Sequence, residues 1–255
     1  MAAMTTRPRP NPLPPEENSV TVFVLVPGAM HGSWCWQPVR ELLESSRCLV
    51  ATPALTGMGE RADELTADVG LDDHVSDVVS AAGDAERVVA VFHSYSGVLA
   101  GPVAERLGDR LSAVILLGAF IAHRGESLLD VEPPESQEAF LRLADEQGDG
   151  IKVPFQESFL ERWGVSDPEL AQLLRDQLTP MPLKCTTDKA QFDPQALAKV
   201  RRIYVDHQRP QPDPFTKSVQ RAKAEGWEMK RIETTHDMML TEPKLTAELI
   251  LDSCD

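Results

Sequence analysis

At 255 residues the chain has room for one α/β domain with an inserted cap, and two full domains would be crowded. Apolar residues make up 42% of it, enough for a large buried core, and the net charge of −15 argues against a nucleic-acid backbone or an anionic membrane surface as the main partner. Cys35, Cys48, Cys185 and Cys254 stand at no metal or redox spacing, which predicts a reduced, cytoplasmic protein. No apolar run reaches the ~20 residues that a membrane span needs.

Residues 1–18 contain Pro8, Pro10, Pro12, Pro14 and Pro15 and lack the apolar stretch of a signal peptide; they read as a flexible, extended arm. Val20–Val26 is a short, continuous apolar run rich in β-branched residues, the pattern of a strand buried on both faces. Trp34–Leu43 follows as a helix with Ser33 as a candidate N-cap. Similar strand signals recur at Cys48–Ala51, Val88–Phe92, Ala113–Leu117 and Ile203–Val205. Trp227–Ile232 alternates more and fits an edge or last strand. Between them, Leu71–Ala82, Ser96–Leu107 and Pro243–Leu251 carry helical spacing, the last with Pro243 in its first turn. Strands alternating with helices predict a mostly parallel sheet covered on both faces. The alternation breaks between about Gly125 and Lys199, where Glu135–Glu146 and Asp167–Leu178 have helical patterns. This predicts a helical cap over residues 126–199.

The chemistry-bearing segment is Val88-Val-Ala-Val-Phe-His-Ser-Tyr-Ser-Gly97. A buried strand runs straight into a helix with Ser94 at the junction. That geometry lifts the hydroxyl above the sheet edge and turns the free N–H groups of the helix start toward the same point. The letters depart from G-x-S-x-G, because Phe92 and Ser96 stand where the glycines would be. Two further segments strengthen the reading. A Gly-containing loop, Val26-Pro-Gly-Ala-Met-His-Gly-Ser-Trp-Cys-Trp36, follows the first strand. Thr235-His-Asp-Met-Met-Leu-Thr-Glu-Pro243 puts His236 between the last strand and the last helix, after the serine in chain order.

With these motifs in order, the sequence resembles the α/β-hydrolase superfamily, in the branch of plant methylesterases and hydroxynitrile lyases. It is most similar to a bacterial esterase-like group that shares the PGAMHGSWCW loop, Leu55-Thr-Gly-Met-Gly-Glu-Arg-Ala62, the elbow and HDMMLTEP. The match covers about Val20 to Leu251 and implies an α/β-hydrolase domain over residues 19–255. It implies Ser94 as nucleophile, His236 as base, and the Ala29 and Tyr95 amides as the oxyanion hole. The expected acid is the discordant element. Relatives of the bacterial group read Leu-Asp-Ala-Phe where this chain reads Leu117-Gly-Ala-Phe120, so Gly118 occupies the Asp position. At the alternative position, after Ile203–Val205, the count arrives at Pro210. Asp206, at a strand's C-terminal end, is the expected substitute, with Asp213 in the loop beyond it as runner-up and a Ser-His dyad as the third option.

The functional expectation is a serine-dependent hydrolase of a small-molecule ester, thioester or lactone. A lyase, cyclase or decarboxylase using the same pocket, or a weakly catalytic small-molecule binder, remain as alternatives. No cofactor or metal is expected. Gly57-Met-Gly-Glu-Arg-Ala62 is a poor dinucleotide fingerprint, and His74, His123 and His207 show no metal spacing. His31 and His93 fit either substrate contact or backbone-bonded burial. The sequence leaves the oligomeric state open.

Overall fold

The computed structural model describes residues 20–207 and 214–253; the Pro-rich arm, Pro210, Asp213 and Cys254 lie outside the described residues. In chain order the strands are β1 (Thr21–Val26), β2 (Leu49–Ala51), β3 (Arg87–His93), β4 (Leu111–Leu117), β5 (Lys152–Val153), β6 (Met181–Pro182), β7 (Arg201–His207) and β8 (Glu228–Ile232). Six of them form one parallel sheet in the order β2-β1-β3-β4-β7-β8. The pairs Val26↔Phe92, Phe92↔Leu116 and Leu116↔Tyr204 bring the carboxyl ends of β1, β3, β4 and β7 to a common edge.

The continuous apolar runs have a simple cause: alternate residues serve two cores. Val24, Val26, Ala90, Phe92, Val114 and Leu116 face one core, packed by α2 (Leu71–Ala81) and α3 (Ala100–Leu107). Phe23, Leu25, Val89, Val91, Ile115 and Leu117 face the other. That second core is closed by helix α1 (Gln37–Ser45) and by the C-terminal helix Pro243–Asp252.

Between β4 and β7 the chain forms α4 (Leu128–Val131), α5 (Pro134–Gln147), α6 (Ser158–Trp163), α7 (Pro168–Gln177), α8 (Leu183–Thr187) and α9 (Pro194–Ala198). The short strands β5 and β6 pair only with each other, antiparallel. Helix α10 (Thr216–Ala224) precedes β8, and α11 (Met238–Thr241) and α12 (Pro243–Asp252) follow it. Among the described residues no helix is long and apolar enough to cross a membrane, and Cys35, Cys48 and Cys185 are unbridged.

One helix start differs from the sequence expectation. Ser33 does not cap α1; it opens a 3-10 turn, Ser33–Trp36, that leads into the helix. The capping group is Glu60, whose carboxylate accepts from Ser33 N at 3.0 Å, Trp34 N at 3.1 Å and Ser33 Oγ at 2.9 Å. Burial works upward on this carboxyl, but these hydrogen bonds hold it below the ordinary carboxylate range. Local sequence cannot reveal a cap supplied by a different loop.

The turn after β3 is tied to the strand end beside it. Phe120 N donates to Ser94 O at 3.0 Å. A Cβ on Gly97 would stand 2.3 Å from Phe120 O and 2.9 Å from Ala119 Cβ, so any side chain there would push backbone rather than a flexible side chain. Gly97→Ala is therefore expected to lower the unfolding free energy by about 1–3 kcal/mol, the usual range for overpacking. Urea midpoints at constant slope would measure it; an unchanged midpoint would mean that the elbow yields freely.

Candidate active site

The elbow folds as the strand–turn–helix pattern predicts. Strand β3 ends at His93, and Ser94–Leu99 form a 3-10 turn that leads into α3. Ser94 has φ +55°, a conformation that L residues adopt rarely and that strained nucleophile turns favour. The missing glycines at 92 and 96 are accommodated differently. Phe92 is fully buried in the sheet core, and Ser96 Oγ donates to His93 O at 2.8 Å. The close approaches fall elsewhere: at Gly97, and at Gly28, where a Cβ would lie 3.0 Å from Ser94 Cβ.

His236 Nε2 lies 2.9 Å from Ser94 Oγ, across 142 residues of sequence. The imidazole is held through its own backbone. His236 N donates to Trp163 O at 3.1 Å, and His93 Nε2 donates to His236 O at 3.0 Å. Accepting carbonyls fix tautomers: His93 must carry its proton on Nε2. Phe215 stacks on the His236 ring with centroids 5.1 Å apart.

Burial, reinforced by the neighbouring His93, His207 and His31, pushes the His236 pKa well below that of a free imidazole. The same burial drives His93 down to about 3. His236 is therefore neutral at physiological pH and ready to accept a proton.

A second polar cluster supports the loop after β1. His31 Nδ1 donates to Ala29 O at 2.8 Å, while its Nε2 is 3.6 Å from Asp237 Oδ1. Asp237 is fully buried, and burial raises its pKa despite the opposing influence of His31. No motif of the sequence assigns Asp237 a role. Its only signal is adjacency to His236.

The sequence-predicted acid is the correction. Asp206 is not brought to His236: its Oδ1 accepts His207 N at 2.9 Å, and its Oδ2 is 3.7 Å from Arg231 Nη1 on the neighbouring strand β8. Alternation along β7 sends residues 206 and 207 to opposite faces, so a carboxylate at this strand end does not face the same side as His207. The group at the Nδ1 of His236 is His207 Nε2, 3.4 Å away. Asp213 lies outside the described residues.

Ser94, His236, Ala29 and Tyr95 line one pocket. Its walls are largely aromatic, from Phe120, Phe140, Phe159, Trp163 and Phe215, with Glu132 and Arg162 as its polar feature. Those two pair at 2.6 Å; burial raises the Glu132 pKa, and Arg162 opposes the rise. His74 sits behind the elbow, bonded to Tyr95 Oη at 2.9 Å and to Thr56 O at 2.8 Å. Among the described residues, His93, His236 and Asp237 lie close enough together to hold a metal ion, but His93 Nε2 donates to His236 O and both ring nitrogens of His236 are engaged, with His207 and Ser94.

A parallel sheet flanked by helices, with a serine at the turn after β3 and a histidine after β8, defines an α/β-hydrolase fold. The chain belongs to the alpha/beta hydrolase family, whose sequence model matches residues 23–249. It is 28% identical over 251 residues to a carbendazim hydrolyzing esterase of Nocardioides sp. (strain SG-4G), covering 89% of this chain and 96% of that one. It is 27% identical over 177 residues to methylesterase 2 of Arabidopsis thaliana, covering 63% of this chain and 67% of the other. Among solved structures, an extracellular α/β-hydrolase from a Paenibacillus species superposes with a TM-score of 0.80 at 22% identity, covering 91% of this chain and 98% of that one. Tomato methylketone synthase I superposes at 0.78 with 18% identity, covering 92% and 97%. At these identities the superpositions speak for the fold.

Proposed function

We propose that this chain is a serine-dependent carboxylic ester hydrolase acting on a small, largely apolar ester. The observation that carries the reading is the 2.9 Å contact between Ser94 Oγ and His236 Nε2 at the floor of an aromatic pocket. Ser94 attacks the ester carbonyl as His236 takes its proton, and the Ala29 and Tyr95 amides receive the oxyanion. His236 then protonates the departing alkoxide, and water releases the acyl group by the same steps. Residues 126–199 act as the cap that supplies the pocket's outer wall and selects substrate. The esterase names of the relatives support the reaction class, and the aromatic lining supports flat or apolar acyl groups.

A fluorophosphonate probe tests the reading, because only an activated serine labels quickly. The expected result is a single adduct on Ser94 together with p-nitrophenyl acetate hydrolysis. A folded protein that neither labels nor hydrolyses activated esters would reject it. The acidic limb of kcat/KM reports the free base. With His236 depressed, activity should stay level from pH 8 down past the ~6.5 of a free imidazole and fall only below it. An inflection near pH 7 would contradict a buried, neutral His236.

A second reading has one observation in its favour: among the described residues no carboxylate is hydrogen-bonded to the His236 ring. The pocket would then serve proton transfer in a lyase or decarboxylase rather than acyl transfer. Product analysis on substrates that are turned over without Ser94 labelling would reveal it.

A further inference from the structure

We propose that His207 has taken the place of the missing carboxylate as the group that positions His236, so that the site is a Ser94–His236–His207 array. The proposal deepens the ester-hydrolase reading above and rests on it for the reaction.

Three observations converge. Gly118, where the acid of similar proteins would stand, has φ +48°, and a Cβ built there would lie 2.7 Å from both Cε1 and Nδ1 of His207. The imidazole thus fills the volume that an acidic side chain at 118 would need, and the glycine and the histidine are two halves of one exchange. His207 Nε2 is 3.4 Å from His236 Nδ1, while the other nitrogen of His236 faces Ser94. Finally, the ring is held in place: His207 is buried at the end of β7, and Phe215 packs against both imidazoles, with centroids 5.6 Å from His207 and 5.1 Å from His236.

Proton accounting gives the pair its role. For Nε2 of His236 to accept the Ser94 proton, neutral His236 must carry its hydrogen on Nδ1. That N–H needs an acceptor in a buried site, and the Nε2 lone pair of His207 supplies one when His207 carries its own hydrogen on Nδ1. As the Ser94 Oγ–carbonyl carbon bond forms, the carbonyl π pair moves to oxygen and the serine proton moves to His236 Nε2. The imidazolium keeps its Nδ1–H directed at His207, and the proton leaves with the alkoxide. His207 gains and loses no proton, so it is a positioning residue rather than a catalytic one. Asp237 does not fill this role, because its carboxylate faces His31 and His93 at 3.6 and 4.0 Å. A neutral acceptor fixes the tautomer and the ring direction but adds no negative charge beside the imidazolium.

The test compares variants on p-nitrophenyl acetate and with a fluorophosphonate probe, with circular dichroism to check folding. His207→Phe fills the space without an acceptor and should lower kcat on the order of 10²-fold, less than the ~10⁴ of an acid-to-amide change in a charged triad. KM should change less than about twofold. His207→Gln returns an amide oxygen and should recover to within about tenfold of wild type. Gly118→Asp alone should be impaired by collision with the ring, whereas Gly118→Asp with His207→Ser should recover, because the carboxylate regains its space. Independently of activity, the His236 Nδ1–H proton should give a downfield 15N-correlated resonance in wild type that disappears in His207→Phe. A His207→Phe enzyme within twofold of wild-type kcat, a wild-type spectrum without that resonance, or a 10²-fold loss on Asp213→Asn with none on His207→Phe would overturn the proposal. If wild type neither labels nor hydrolyses, the esterase reading fails, and the resonance still decides whether His207 holds His236.

Discussion

Replacing Ser94 by Ala is expected to abolish ester turnover, by about 10⁴-fold or more, while leaving the protein folded. The hydroxyl's hydrogen bond is to His236 Nε2, so deletion removes the proposed nucleophile and one contact of the proposed base. The backbone that shapes the elbow is unaffected, because Ser94 O still accepts Phe120 N. Ala tolerates φ +55° about as poorly as Ser does, so the strain is carried over rather than added. Leaving Nε2 unpaired costs about 1–3 kcal/mol at most, which a folded domain of this size withstands. The measurements are kcat/KM on p-nitrophenyl acetate and the urea midpoint of the same preparation. Turnover within tenfold of wild type in a folded Ser94→Ala protein would remove the nucleophile assignment and shift weight to proton-transfer chemistry by His236 alone.

The sheet strands were legible because each is a short apolar run that two cores demand, and the register follows from parallel packing. Val20–Val26 and Val88–Phe92 fall within a residue of β1 and β3. Segments held by tertiary contacts were not legible in the same way. Helix α10 is mostly polar along its length and buries only Ser218, Val219 and Ala222, so no apolar stripe announced it. The contact between Ser94 and His236 was readable because the fold fixes the order of strand ends along the sheet. The partner of His236 was not, because the family pattern implies a carboxylate there and an imidazole stands in its place. The signal lay in a pair: Gly118 at a position where the family resemblance implies an acid, and a histidine at the end of the adjacent strand, β7. Only the register Leu117↔Val205 shows that these two positions share one space.

Stability is expected to fall steeply as pH drops below about 6.5, and the cause is the number of neutral imidazoles sealed in the fold. Burial pushes down the pKa of His74, of His93 to about 3, and of His236, each against an unfolded value near 6.5. For a depressed base, the unfolded chain binds protons that the native state refuses between those two values. Stability is then intact above the unfolded pKa and is lost as pH falls from it toward the folded pKa. Each such group contributes at most about 1.4 kcal/mol per pH unit, over the interval between its unfolded and its folded value. Asp237 and Glu132 act in the opposite direction. Burial raises both, so the native state takes up their protons before the unfolded chain does, and part of the loss is returned as pH falls through their raised values. The decline therefore begins near pH 6.5, well above the range where surface carboxylates titrate. Urea unfolding at pH 7.5, 6.5, 5.5 and 5.0 measures the slope directly. His93→Gln, which keeps a donor for His236 O, should flatten it by about one proton if it folds, and His74→Gln offers the same reading on the other side of the elbow. A stability that stays level from pH 7.5 to 5.0 would mean that these rings are hydrated in solution and that the low pKa of His236, on which its readiness as a base depends, does not hold.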